Sequence, residues 1–311
     1  MLLRYSFDTW SEKQYVKELK ELRSLGMDGI CFPMIKREIR IRRGATRFDY
    51  YPLSRMIEMA RDFYLKTGLI VESFHSAELS LLENFSPPVG ANGIGYIREE
   101  NYAPVCPNDP MGIMRYHRIL QKLANIESPD YVYFENLRFP YYWLKEELDI
   151  QNQVPPFCYC PFCTAEFSSV MGEIVTSIDQ IIDMLPEWLE WRTAAIMDHL
   201  LDARDTLPST TRIIVSLPPL LPIDVPFTTG QLPMAIIEED CHISPKLHHL
   251  SKGKSELWVE DMLDQYQIDI KASKIIPSFE TSNLNELTNF ARWEDIFPEI
   301  IVTNRTNLSR S

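Results

Sequence analysis

The chain has 311 residues, 45% of them hydrophobic, and a net charge of −13. Such a length and apolar content suit one large core and exclude a disordered chain, and no apolar run reaches the roughly 18 residues of a membrane-spanning helix. A nucleic-acid partner is not expected either, because the one basic run (Lys36, Arg37, Arg40, Arg42, Arg43, Arg47) stands isolated in an acidic protein and reads as a solvated loop.

Short β-like runs alternate with helical periodicity. The first predicted strand is Leu3–Phe7. A helix follows from Glu12 to Leu25, with Tyr15, Leu19, Leu22 and Leu25 at helical spacing and Gly26 as its stop. Next come a strand at Gly29–Pro33, a charged loop over 36–50, a helix over Leu53–Thr67 ended by Gly68, and a third strand at Leu69–Ser73. Residues 76–110 form a long connection, a feature that is usually functional in a compact domain. A helix over Met111–Ile126 leads to the fourth strand, Tyr131–Glu135. A cysteine-containing insertion over 141–170 and a helical stretch over 164–206 precede the fifth strand, Arg212–Ser216. After a Pro-rich loop and a short helix near 231–240, the remaining strands are expected at His242–Ser244, Lys274–Phe279 and Glu299–Thr303, with helices at Ser255–Tyr266 and Leu284–Ala291 between them. Parallel neighbours need crossover helices, so eight such units predict a single α/β domain over 1–311, a (β/α)8 TIM barrel. The tail after Thr303 is too short for a good final helix, so an incomplete last helix is expected.

Cys31 and Cys241 stand alone, but Cys106, Cys158, Cys160 and Cys163 form a set. Three thiols on one tight turn are hard to pair locally as disulfides, and they suit a metal. An all-sulfur tetrahedron points to structural zinc, the alternative being a cluster of reduced buried thiols. Four sulfurs leave no position for water or substrate, so a catalytic zinc is not expected.

These residues also carry a resemblance. Cys106 with Cys158, Cys160 and Cys163 resembles the zinc site of family 42 glycoside hydrolases, where a C-x-C-x2-C follows strand 4. The segment Cys106–Pro110, and Tyr133 to Pro140 after it, is similar to glycosidase-like barrels with a strand-4 acid followed by x-I/L-R-F/Y-P and then the cysteine segment, whose last position Phe167 matches. Ser244-Pro245-Lys246-Leu247-His248 resembles their strand-6 pattern S-P-M-L-Y, with Lys246 and His248 departing from it. A second departure is the order Glu135-Asn136, where the galactosidase barrels carry Asn before Glu. The resemblance implies a glycoside-hydrolase barrel and a carbohydrate substrate.

Barrel enzymes carry their chemistry at the C-terminal ends of the strands. Glycoside hydrolysis needs two carboxyl groups, one to protonate the leaving oxygen and one to attack carbon or activate water. Glu135 and Glu280 fall at the strand-4 and strand-7 positions of the retaining clan A glycosidases, and are the candidate catalytic pair. The competing readings are an ion pair of Glu135 with Arg138 and a helix-capping role for Glu280. A bidentate Arg138 would hold Glu135 ionised, which suits a nucleophile. Asp8, Trp10, Glu72, His75, Arg138, Trp143 and His248 are candidate substrate contacts, the aromatic rings by stacking on sugars. The acidic surface suits a neutral carbohydrate. Two other functions fit the same residues: a carbohydrate-binding pseudoenzyme, and a metal-dependent barrel enzyme using His75, His248 and Glu72. Reduced thiols and an N-terminus without an export signal lead to a cytoplasmic expectation. Nothing in the sequence fixes an oligomeric state.

Overall fold

The apolar runs at period two close on one another as a barrel. The computed structural model describes residues 1–5, 11–34, 36–40, 46–50, 52–97, 102–126, 129–141, 154–283 and 290–304. In chain order the strands are β1 (Leu2–Arg4), β2 (Gly29–Pro33), β3 (Lys36–Arg40), β4 (Thr46–Tyr50), β5 (Lys66–Glu72), β6 (Tyr131–Glu135), β7 (Arg212–Leu217), β8 (His242–Leu247), β9 (Ser278–Thr281) and β10 (Ile301–Asn304). Eight of them, all but β3 and β4, form a closed barrel whose neighbours are all parallel, β10 returning to β1. Helices α1 (Glu12–Ser24), α2 (Leu53–Asp62), α3 (Pro110–Ala124), α4 (Pro161–Met171), α5 (Ile178–Asp183), α6 (Leu185–Thr206), α7 (Asp224–Thr229), α8 (Pro233–Glu238), α9 (Glu256–Gln267) and α10 (Ala291–Glu294) lie between the strands. This is the predicted (β/α)8 barrel. No helix among the described residues is long and apolar enough to cross a membrane.

The strand alternation sorts residues into two cores. Leu2, Cys31, Ile70, Tyr131, Tyr133, Ile214, Ile276 and Ile301 pack together inside the barrel. The intervening residues, among them Leu3, Ile30, Leu69, Val132, Phe134, Val215, Ile243, Phe279 and Val302, pack outward with the helices. The interior is tight where strands approach: a Cβ on Gly68 would meet Cys31 Sγ at 2.6 Å. At the N-terminal end, Glu299 gathers Lys66 Nζ at 2.7 Å, Arg212 at 3.0 Å and the Tyr131 hydroxyl, closing the floor with charge.

Several elements differ from expectation. The charged stretch 36–50 contains an antiparallel hairpin, β3 with β4, in register Lys36↔Tyr50 to Arg40↔Thr46. Its period-two pattern is hidden by arginines at positions where apolar residues would mark a strand. The third barrel strand begins at Lys66 and runs through Gly68, because α2 stops at Asp62. The sixth extends past Pro245 to Leu247, so the missing proline donor does not end the ladder. The seventh is confined to Ser278–Thr281, since Ala272–Lys274 forms a 3-10 turn. The helical stretch 164–206 is three helices, the first stopped by Gly172 in the left-handed region at φ 72°. The strand residues expected at Ser6 and Phe7, and most of the helix expected over Leu284–Ala291, lie outside the described residues.

Ile214 is fully buried inside the barrel. Ile214→Ala should therefore cost about 2–5 kcal/mol of stability in denaturant unfolding, since the ring of strands cannot collapse onto the void.

Candidate active site

Five of the strands carry a charged residue on the inward face near their C-terminal ends. Arg4 ends β1, Glu72 ends β5, Glu135 ends β6, Lys246 lies near the end of β8 and Glu280 lies in β9. Parallel register sets Glu72 beside Glu135 and Thr303 between Arg4 and Glu280.

Glu135 is the centre of this layer and is 2% exposed. Arg4 grips it from across the barrel with both guanidinium nitrogens, Nη2 at 3.0 Å from Oε2, and Lys246 Nζ lies 2.7 Å from Oε1. Burial opposes the charge, but Arg4 and Lys246 hold the carboxyl well below the usual carboxylate range. The cation expected to do this was Arg138, and the structure corrects that. Arg138 instead donates to Asn136 Oδ1 at 2.6 Å and lies over the Tyr141 ring, 4.7 Å from its centroid. Nearness in sequence had favoured Arg138, but the strand alternation turns distant Arg4 and Lys246 inward.

Glu72 shows the opposite behaviour. Burial, and then the charge of neighbouring Glu135, push its pKa up to about 7. Its side chain keeps 27% exposure. Asn136 explains how the pair is held. It follows Glu135 with φ at 53°, a left-handed conformation that asparagine tolerates better than most residues. The turn brings Nδ2 to Glu72 Oε2 at 2.7 Å while Oδ1 accepts from Arg138. The Glu-Asn order noted in the sequence thus builds a hydrogen-bonded chain from Arg138 through Asn136 to Glu72, beside Glu135.

His75 Nδ1 lies 3.7 Å from Glu72 Oε2, and its ring stacks on Tyr102. Glu72 and His75, with Met34, Arg115 and Arg118, line a cleft of about 800 Å³ between the ends of β2 and β5 and helix α3. Glu135 and Glu280 are not among its lining residues. Glu280 is 1% exposed; its Oε1 accepts from Ser251 N, and its Oε2 has no partner among the described residues. His248 is buried, its Nε2 3.1 Å from Ser278 Oγ. Burial first, then Lys246 and Arg4, press its pKa down to about 3, so the imidazole is neutral. Asp8, Trp10 and Trp143 lie outside the described residues. Arg4, Lys246 and Asn136 had not been singled out as site residues, although inward parity on predicted strands marks the first two.

The four cysteines meet as expected. Cys106, Cys158, Cys160 and Cys163 are all buried, with sulfurs within 4.8 Å of one another, and can hold a metal ion. Hydrogen bonds from Val89 N to Cys158 at 3.4 Å, and from Asn108 N and Nδ2 to Cys106 at 3.4 Å and Cys163 at 3.5 Å, suit thiolate sulfurs. They are the only convergent set of His, Cys, Asp or Glu ligands among the described residues, so His75, His248 and Glu72 form no such set.

No family model matches the sequence, and no curated protein matches it either. Solved structures do. The PgaB (BpsB) glycoside hydrolase domain from Bordetella bronchiseptica superposes with a TM-score of 0.71 at 10% identity, covering 99% of this chain and 94% of that one. The catalytic domain of β-amylase from Paenibacillus polymyxa gives 0.59 at 12% identity over 98% and 92% of the two chains. A β-galactosidase from the haloarchaeon Halorubrum lacusprofundi gives 0.61 at 12% identity, covering 97% of this chain and 52% of its own. What these structures share with the chain is the fold, a closed (β/α)8 barrel.

The native protein holds Glu72's extra proton between its ordinary value of 4.5 and about 7. The contribution of this group to stability therefore falls as pH rises through that window. Glu135→Gln leaves the burial of Glu72 in place but removes the neighbouring anion, the second cause of its raised pKa. Carboxyl-carbon NMR should show the Glu72 titration moving down from about 7 toward 4.5, and an unmoved titration would refute the coupling.

Proposed function

We propose that the protein is a glycoside hydrolase that cleaves a neutral carbohydrate at the C-terminal mouth of the barrel. One observation carries the reading: Glu72 and Glu135 stand side by side at the ends of adjacent strands, the first held by Asn136 and open to the cleft, the second gripped by Arg4 and Lys246, and their acidities are driven in opposite directions. A proton donor and a fixed anion thus stand side by side where barrel enzymes place their chemistry. Glu72, exposed to the cleft, protonates the leaving oxygen. Glu135 stays ionised and, with Glu280 from the seventh barrel strand, supplies the carboxylate charge that meets the developing oxocarbenium ion. His75, Arg138 and His248, with Asp8, Trp10 and Trp143, complete the substrate contacts. The shared fold supports a saccharide substrate, and the net charge of −13 disfavours a polyanion.

A carbohydrate-binding pseudoenzyme has one observation of its own, since both oxygens of Glu135 are occupied by Arg4 and Lys246. An aryl-glycoside panel separates the two. Under the hydrolase reading, Glu72→Gln lowers turnover about 10²–10⁴-fold and Glu135→Gln and Glu280→Gln also abolish most activity. Wild-type activity is lost as pH rises through about 7, as Glu72 deprotonates. Saccharide binding without turnover favours the pseudoenzyme; turnover unaffected by all three changes sinks the assignment.

The metal we assign to the cysteines is zinc, in a structural role. Zn–S bonds of about 2.3 Å set tetrahedral S···S edges of roughly 3.8 Å, and the observed Cys106–Cys163 and Cys106–Cys160 separations of 3.3 and 3.5 Å need only slight opening. The ion would tie the connection after β5 to the segment that begins α4. These reduced thiols fit a cytoplasmic location. Elemental analysis should find about one zinc per chain, and Cys106→Ser should lower zinc content and Tm together. A metal-free protein of unchanged Tm would contradict the assignment.

A further inference from the structure

Glycoside hydrolysis uses the amine at the centre of the site only as a counter-charge to Glu135. Lys246 stands where the resembled barrels carry methionine in S-P-M-L-Y. It shares the inward face of β8 with Ser244, whose Oγ accepts from the Tyr133 hydroxyl at 3.2 Å. Its amine is 2.7 Å from Glu135 Oε1, and Glu135 in turn stands beside Glu72 in the register of neighbouring strands. The side chain is 13% exposed, more than the carboxylate it contacts, as are Arg4 at 21% and Glu72 at 27%. A small molecule entering from the mouth therefore meets the amine and the Glu72 carboxyl before it meets Glu135. A lysine kept only to neutralise Glu135 would duplicate the bidentate grip of Arg4.

We propose that Lys246 is an imine-forming nucleophile, giving the barrel mouth a second, covalent activity toward aldehydes and ketones. The groups the reaction needs are in contact. The Lys246 ammonium passes a proton to Glu135. The neutral amine attacks the carbonyl carbon; a C–N bond forms, and the C=O π pair moves to oxygen, which takes the Glu72 proton. The nitrogen returns a proton to Glu72, giving the neutral carbinolamine. Its lone pair then expels the hydroxyl, which leaves as water with the proton held by Glu135. The C–O bond is broken, an iminium remains on Lys246, and both glutamates are back in their starting states. Burial lowers the Lys246 pKa and nearby Arg4 adds to this, against the opposing pull of Glu135, so the neutral amine is more accessible than in a surface lysine.

The activity is independent of glycoside cleavage, and so is its test. The full chain is incubated with sodium cyanoborohydride and either pyruvate, a 2-oxo acid, or glyceraldehyde, an open-chain sugar, and peptides are mapped by mass spectrometry. The expected result is a reduced adduct concentrated on Lys246 over every other lysine of the chain. A pyruvate adduct alone assigns a 2-oxo acid, a glyceraldehyde adduct alone an open-chain sugar, and both a general carbonyl site. Lys246→Arg, which keeps a cation for Glu135, should abolish the selective adduct with circular dichroism unchanged. Wild-type mapping decides the matter even if that variant misfolds. Adducts spread evenly over surface lysines, or none at all, overturn the proposal.

Discussion

Glu135 cannot sit at the mouth of the barrel as a bare anion. Removing a carboxylate from water costs several kcal/mol unless cations and hydrogen bonds replace its hydration. The chain meets that cost with Arg4 from the first strand and Lys246 from the sixth, both reaching inward to the same carboxylate. The rest of the site follows. Burial of Glu72, and then the fixed negative charge beside it, make a second charge there expensive, so Glu72 keeps its proton to about neutrality. Asn136 adopts a left-handed backbone to hold the two carboxyls together. The arrangement yields an acid, an anion and an amine within one contact network.

Much of the scaffold is legible in the sequence because it is local. Strand and helix periods are set by residues a few positions apart, and they identify all eight barrel strands to within a few residues. The cysteine set is legible because three ligands share one turn, and Glu135 because it ends a strongly apolar strand. The partners of Glu135 are not local. Arg4 and Lys246 lie 131 and 111 positions away, and only the closure of the sheet faces them toward it. Choosing Arg138 followed proximity along the chain, whereas the chain turns at Asn136 and carries that arginine to the Asn136 amide and the Tyr141 ring. The hairpin at 36–50 is not legible because its six basic residues interrupt the apolar alternation that marks a strand. The protonation split between Glu72 and Glu135 was illegible for the same reason as the ion pair: it depends on a register between strands, not on either residue alone.

The fold tolerates this specialisation. Neighbours of 10–12% identity share the barrel across nearly the whole of this chain. That persistence is physical: the interior needs branched and aromatic residues of suitable volume at inward positions, and the helices need matching apolar faces, while the strand ends are free to change. The cysteine cluster belongs to the scaffold side of that division. It links two connections at the rim, leaving the charged layer at the strand ends to define the chemistry.

The protons themselves are the sharpest test of this arrangement. A neutron structure of crystals grown at mildly acidic pH would locate them directly. The account requires deuterium on a carboxyl oxygen of Glu72, none on Glu135, and a fully deuterated Arg4 guanidinium facing the latter. Deuterium on Glu135, or on neither glutamate, would contradict it.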